Sequence, residues 1–136
     1  MKVLKIAAFL LLCVCFVAAQ TPAPQTSTTT STDIQKPMLE FANANSAKIA
    51  WTTKQGADLD LHYNADRNNL ESSAVAAVEK MGGDNHRATL TSLQPNTTYY
   101  IMMTNKTGQP VGPVYSFKTT AQGQPPIHEQ PLTQVQ

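Results

Sequence analysis

The fold of this chain is decided by residues 93–103, which read LQPNTTYYIMM. Pro95 and Asn96 carry turn chemistry, because proline presets the backbone for a turn and asparagine tolerates a left-handed conformation. Residues 98–103 then form a continuous β-prone run, as the central strand of a sheet requires. The stretch therefore predicts a tight corner that leads into a central strand.

Segments with a period of two lie on both sides of this corner. Residues 47–53 alternate so that Ile49 and Trp51 share one face, and residues 58–63 alternate so that Leu61 shares a face with residues 59 and 63. Further strands are predicted at residues 87–93 and 114–119, and a weaker initial strand at residues 37–41. Gly-, Pro- and Asn-containing turns separate these runs, which is typical of an all-β sandwich.

The inward faces of these strands predict the core. We expect it to contain Ile49, Trp51, Leu61, Leu90, Leu93 and Tyr99. The fold class is therefore an immunoglobulin-like β-sandwich of about seven antiparallel strands.

Residues 70–81, LESSAVAAVEKM, fit two structures. Leu70, Ala74, Ala77, Val78 and Met81 lie near helical spacing. Residues 73–78 can equally form a strand, with 73, 75 and 77 on one face and 74, 76 and 78 on the other. We favour a strand, because the neighbouring strands leave a sheet edge to fill. A helix over these residues remains the alternative at this point.

The ends of the chain differ from its centre in composition. Residues 1–19 predict a signal peptide, with a basic start, an apolar run and small residues before the cleavage point. The run is shorter than the roughly 20 residues of a membrane span. We expect a Thr/Ser/Pro-rich disordered linker at residues 20–35, a folded domain at 36–121 and a Gln/Pro-rich disordered tail at 122–136. The protein would be secreted or periplasmic, without a membrane span after cleavage.

Cysteines and charge restrict the classes of function. Cys13 and Cys15 both lie in the signal peptide, so the mature chain has no disulfide and no thiolate metal site. Removing Lys2 and Lys5 from the ten basic residues leaves eight against nine acidic residues. No basic stripe remains, so nucleic-acid binding is not supported.

The run Leu93-Gln94-Pro95-Asn96-Thr97-Thr98-Tyr99 resembles the fibronectin type III signature between strands E and F. The resemblance implies that Tyr99 is a corner tyrosine whose hydroxyl bonds the loop backbone. It extends over residues 37–120, and Trp51 matches the family's strand B tryptophan. Residues 61–64 and 69–70 are similar to the fibronectin-like domain that precedes metallophosphatase domains, although Asn64 stands where that pattern has glycine. No phosphatase sequence follows within these 136 residues, so we do not expect that chemistry here.

Asp58, Asp60 and His62 are the candidate metal ligands. Their spacing projects all three from one strand face, but alternate strand residues stand about 6.5–7 Å apart, which is too far for convergence on one ion. We interpret them as the polar face of a half-buried strand. No metal or other cofactor is predicted.

No catalytic motif is present, and the three histidines lie beside no credible nucleophile and base. The sequence therefore predicts a non-catalytic module that serves as a protein-interaction or structural element, with an unidentified protein partner. A carbohydrate-binding or adhesion module for a polysaccharide is the alternative. Tyr100 and Tyr115 are the candidate binding residues, because strands F and G share a sheet and their tyrosines could share an exposed face.

Overall fold

The computed structural model describes residues 34–54 and 57–136, and these residues form an all-β domain. The strands are β1 (Ile34–Ala42), β2 (Ala47–Thr53), β3 (Asp60–Asn64), β4 (Ala74–Lys80), β5 (Asn85–Leu90), β6 (Thr98–Thr104), β7 (Pro110–Lys118), β8 (Ile127–Pro131) and β9 (Thr133–Gln134). A 3-10 turn, Arg67–Asn69, follows β3. The predicted sandwich fold is confirmed, with two more strands than expected.

All neighbouring strands pair antiparallel, in the order β8-β1-β2-β5-β4-β3-β6-β7-β9. One layer contains β8, β1, β2 and β5, and the other contains β3, β6, β7 and β9. β4 joins them, because its first half pairs with β3 and its second half with β5. The two layers are therefore continuous along one side of the sandwich.

The strand interpretation of residues 70–81 is confirmed by β4. Its residues 74–76 pair with β3 and residues 77–80 with β5, so both of its edges are hydrogen-bonded. Gly82 and Gly83 follow with φ of 100° and 59°, which lets the chain reverse into β5. Available edges on both neighbours favour the strand over the helix that composition also allowed.

The core lies between the two layers. All six residues that the sequence analysis assigns to it are buried, and Ile49, Leu61 and Leu90 are completely inaccessible. Strand β2 alternates between buried and more exposed positions, as its period of two requires. Leu93 follows the end of β5 and is buried from the loop.

The pairing of β6 with β7 contains a bulge. Ile101 pairs with Tyr115 and Met103 with Val111, so residues 112–114 lie opposite a single residue of β6. Gly112 within it has a φ of 73°, and a Cβ there would lie 3.3 Å from Ile34 Cδ1. β7 begins at Pro110, four residues before the strand that the sequence predicted at residues 114–119.

The ends of the folded unit differ from the predicted boundaries. β1 begins at Ile34, two residues before the predicted domain, while the predicted signal peptide and the linker up to residue 33 lie outside the described residues. The prediction of a disordered tail over residues 122–136 differs from the structure, in which β8 pairs with β1 and β9 pairs with β7. The physical reason is that the edges of β1 and β7 offer backbone partners to a segment that could not order itself.

Candidate interaction surface

Tyr100 and Tyr115 lie on opposite faces of their sheet, so the prediction that they share an exposed face is wrong. Tyr100 pairs with Ser116, and Tyr115 pairs with Ile101. Directly opposed residues of an antiparallel pair project to the same face. Since Ile101 is fully buried in the core, Tyr115 points inward and Tyr100 points outward.

Tyr115 therefore belongs to the interior. Its ring packs half-buried against the core, and Gln134 of β9 pairs with it on the outer edge of β7. Burial raises the pKa of the Tyr115 hydroxyl above its ordinary value. A group in this position supports packing and does not offer a binding platform.

Tyr100 shares the opposite side of the sheet with residues from β3 and β4. His62 pairs with Val75 on one side and with Met102 on the other, which makes one row across three strands. Tyr100 lies in the adjacent row. We call Val75, His62, Met102 and Tyr100 the outer face.

The outer face combines apolar, aromatic and imidazole side chains. Val75 is 53% exposed, one of the two large exposed hydrophobic residues of the described chain, whereas Met102 is only 7% exposed beneath its neighbours. His62 and Tyr100 are half-buried. The Nδ1 atom of His62 is buried without a hydrogen-bond partner among the described residues, so this ring nitrogen has an unused hydrogen-bonding position.

Two ion pairs hold the carboxylates of Asp58 and Asp60. Lys106 Nζ lies 2.5 Å from Asp60 Oδ1, and Lys80 Nζ lies 2.5 Å from Asp58 Oδ1. The hydrogen bond from Lys80 lowers the pKa of the exposed Asp58 carboxyl. Both carboxylates that the sequence analysis considered as metal ligands are thus bound by lysine. Within residues 34–54 and 57–136, no cluster of three or more potential ligands could hold a metal ion.

The corner before β6 has the geometry that the resemblance implies. The Tyr99 hydroxyl accepts a hydrogen bond from the Gln94 backbone N–H at 2.9 Å. Thr119 Oγ1 donates to the Gln94 carbonyl at 2.7 Å and accepts from Thr97 N–H at 2.9 Å. These bonds attach the corner to the end of β7. They thereby hold the start of β6, the strand that contains Tyr100, in position.

His86 is a core residue and not part of a site. Its side chain is almost fully buried, stacks on Trp51 with ring centroids 5.7 Å apart, and places Nε2 3.0 Å from Thr53 Oγ1. A satisfied and inaccessible imidazole of this kind stabilises the fold.

The sequence analysis missed most of the outer face. Val75 lies in the segment whose sequence fits both a strand and a helix, and Met102 lies in a continuous apolar run that is typical of interior residues. The pairing of His62 with both could be found only once β4 was known to be a strand beside β3.

Comparison with known proteins gives one family and one group of structures. The family model described as "Purple acid Phosphatase, N-terminal domain" matches residues 34–119. Among solved structures, the sensor domain of the anti-sigma factor RsgI4 of Pseudobacteroides cellulosolvens is similar. One structure of that domain is 27% identical, with a TM-score of 0.47, and the match covers 64% of this chain and 94% of that one. A solution structure of the same domain is 26% identical, with a TM-score of 0.44, 61% coverage of this chain and 76% of that one.

A search among curated proteins found no match. The described residues include no helix that is both long enough and apolar enough to cross a membrane.

Proposed function

The chain belongs to the purple acid phosphatase N-terminal domain family, and we propose that it is an exported, non-catalytic module that binds a protein partner through the outer face. The observation that carries this proposal is the 53% exposure of Val75 beside His62, Met102 and Tyr100. Exposure of a branched aliphatic side chain to water is unfavourable, and contact with a partner would remove this free-energy cost.

The composition of the outer face supports a protein as the partner. Tyrosine and methionine are enriched in the cores of protein interfaces, whereas charged residues are found at their rims. Here Tyr100 and Met102 lie in the centre, and the Asp60–Lys106 pair lies at the border. Three hydrogen-bonded strands hold these side chains, so little conformational entropy is lost on binding.

The absence of catalysis is part of the proposal. The matched family model is that of an N-terminal domain of the phosphatase. The carboxylates of Asp58 and Asp60 pair with lysines, and that of Glu40 pairs with Arg87. Groups paired in this way are poor candidates for general acid or base catalysis.

Photocrosslinking in the native cell tests the binding face. A photoreactive phenylalanine analogue at position 75 should give one discrete adduct with a protein, because that position lies in the proposed contact. The matched control is the same analogue at Lys48, an exposed strand position of the other layer. Equal adduct patterns from both positions, or none from position 75, would contradict the proposal.

Export is tested separately by the N-terminus of the mature protein. We expect the protein recovered from the periplasm or medium to begin at Gln20, as the predicted cleavage site requires. Recovery in the cytoplasm with residues 1–19 retained would remove export from the proposed function without affecting the binding face.

A polysaccharide is the second candidate ligand, and the environment of Tyr100 favours it. Tyr100 is paired with Asn64 on β3 and Ser116 on β7, so an aromatic ring lies between an amide and a hydroxyl. Such a group could stack on a sugar ring while its neighbours bond the sugar hydroxyls. Retention on immobilised polysaccharides that Tyr100→Ala abolishes, and that Tyr63→Phe preserves, would favour this ligand over a protein.

A further inference from the structure

The C-terminal segment closes the side of the sandwich opposite β4. β8 pairs with the outer edge of β1, from Met38 opposite Pro131 to Ala42 opposite Ile127. β9 then pairs with the outer edge of β7. The segment therefore crosses from one layer to the other, and it lies entirely beyond residue 119, where the family match ends.

One side chain anchors this segment in the sandwich. Leu132, between β8 and β9, is 9% exposed and belongs to the core cluster. Ile127 and Val135 are only half-buried, and the other residues from 121 to 136 are exposed. A single leucine therefore provides the main apolar contact.

The remaining attachment is mostly made by the backbone. Val135 N–H donates to the Val114 carbonyl at 2.9 Å, and Leu132 N–H donates to the Pro37 carbonyl at 3.4 Å. A cavity of about 250 Å³ remains beside the segment, lined in part by Leu39, Phe117 and Thr133. Backbone hydrogen bonds along a strand edge and a pocket for one leucine side chain are what an added strand requires, whichever molecule supplies it.

The connection that holds the segment in its own molecule is a tight turn. Gln124 N–H donates to the Ala121 carbonyl at 3.1 Å, and Gly123 has a φ of 77°, which glycine adopts readily. Pro125 and Pro126 follow directly and favour an extended chain. Opening this turn would carry the whole segment away from the domain without breaking any other strand.

We propose that the groove between β1 and β7 is a strand-exchange site whose occupant in trans is the 127–135 segment of a second copy of this chain. In the exchanged dimer, the segment of each copy occupies the groove of the other copy. Reciprocal exchange therefore keeps the β8, β9 and Leu132 contacts and loses only the turn. Such an exchange gives a closed two-fold dimer. The inference is independent of the proposed function, since the outer face consists of residues from β3, β4 and β6.

The test uses the full chain with Gly123→Pro. Proline cannot adopt a φ of 77°, so the turn opens while Leu132 is retained. We expect light scattering to give twice the monomer mass, and the double variant Gly123→Pro/Leu132→Asp to return to monomer. Gly83→Pro is the matched control, because it replaces another exposed glycine with positive φ, in the β4–β5 turn, and should stay monomeric. A folded Gly123→Pro chain that remains monomeric, or a dimer that survives Leu132→Asp, would overturn the proposal.

A second measurement does not depend on the hinge variant. A labelled peptide of residues 125–136 is titrated into the full chain carrying Leu132→Asp, whose own segment has lost its anchor. We expect saturable binding at least about tenfold tighter than to the wild-type chain, where the tethered segment competes at millimolar effective concentration. A peptide with aspartate in place of its leucine should not bind. Failure of the unmodified peptide to bind, with the receptor folded by its thermal melt, also overturns the proposal.

Discussion

Replacement of Tyr99 by phenylalanine isolates the contribution of one hydrogen bond to this fold. The ring is 7% exposed and packs 6.0 Å from the ring of Phe117 and 6.4 Å from that of Tyr63. Phenylalanine keeps those ring contacts, so the variant loses only the bond from Gln94 N–H to the hydroxyl. A net intramolecular hydrogen bond contributes about 0.5–1.5 kcal/mol. Because Gln94 is exposed and its N–H can be taken over by water, we expect a loss of about 1 kcal/mol.

Equilibrium unfolding in urea measures this loss directly, and thermal unfolding gives a second reading. For a domain of this size, a loss of about 1 kcal/mol lowers Tm by about 4–8 °C. Tyr63→Phe is the matched control, because Tyr63 is half-buried against the Tyr99 ring and the corner bond goes to the Tyr99 hydroxyl and not to that of Tyr63. We expect that variant to stay within about 0.5 kcal/mol of the wild type. Equal losses in the two variants would refute the assignment of the corner bond.

Three further predictions address the core, an ion pair and the interior tyrosine. Trp51→Ala and Leu93→Ala should each lower the free energy of unfolding by about 2–5 kcal/mol in urea, because both side chains are buried and leave cavities; wild-type stability in either would refute the core assignment. The two-point hydrogen bond from Arg87 holds the pKa of Glu40 below its ordinary 4.5, so this pair stabilises the fold above that pH. Glu40→Gln should therefore cost about 0.5–1 kcal/mol at neutral pH, and the difference should disappear as the pH falls through the lower folded pKa; a pH-independent difference in urea would contradict this. Burial raises the pKa of Tyr115 above 10.0, so its stabilising effect is present below pH 10 and is lost as the pH rises through the folded value. Tyr115→Phe should remove one tyrosinate step with a raised pKa from the absorbance titration, and an unchanged titration would argue against the inward orientation.

Local sequence signals predicted the elements that local physics controls. The alternation of residues 47–53 determines which side of β2 is buried, and Ile49 and Trp51 are buried as expected. The turn residue Pro95 and the β-prone run after it determine the corner and the start of β6, and all of these signals lie within the corner and the strand themselves. Such patterns can be interpreted without knowing which strands are neighbours.

Which face of β7 is buried could not be predicted from alternation alone. Tyr115 and Phe117 share a face by simple alternation, and Phe117 pairs with the buried Tyr99. The orientation of Tyr115 therefore followed from the register of β7 against β6, which depends on pairing between distant residues. The three residues opposite Met102 in the bulge, 112–114, end just before Tyr115, and their turn-like composition hid the first part of β7.

The C-terminal segment shows that composition alone does not predict whether a segment is ordered. Low apolar content means that a segment cannot bury enough surface to order itself, and residues 122–136 meet that description. Whether such a segment docks depends instead on unpaired edges elsewhere in the molecule. Here β1 and β7 each present one, and a single Leu132 reaches the core between them. The same reasoning makes the segment a candidate for exchange. The strand edges bind an extended backbone and one leucine side chain, and a second copy of the chain offers the same backbone and the same leucine.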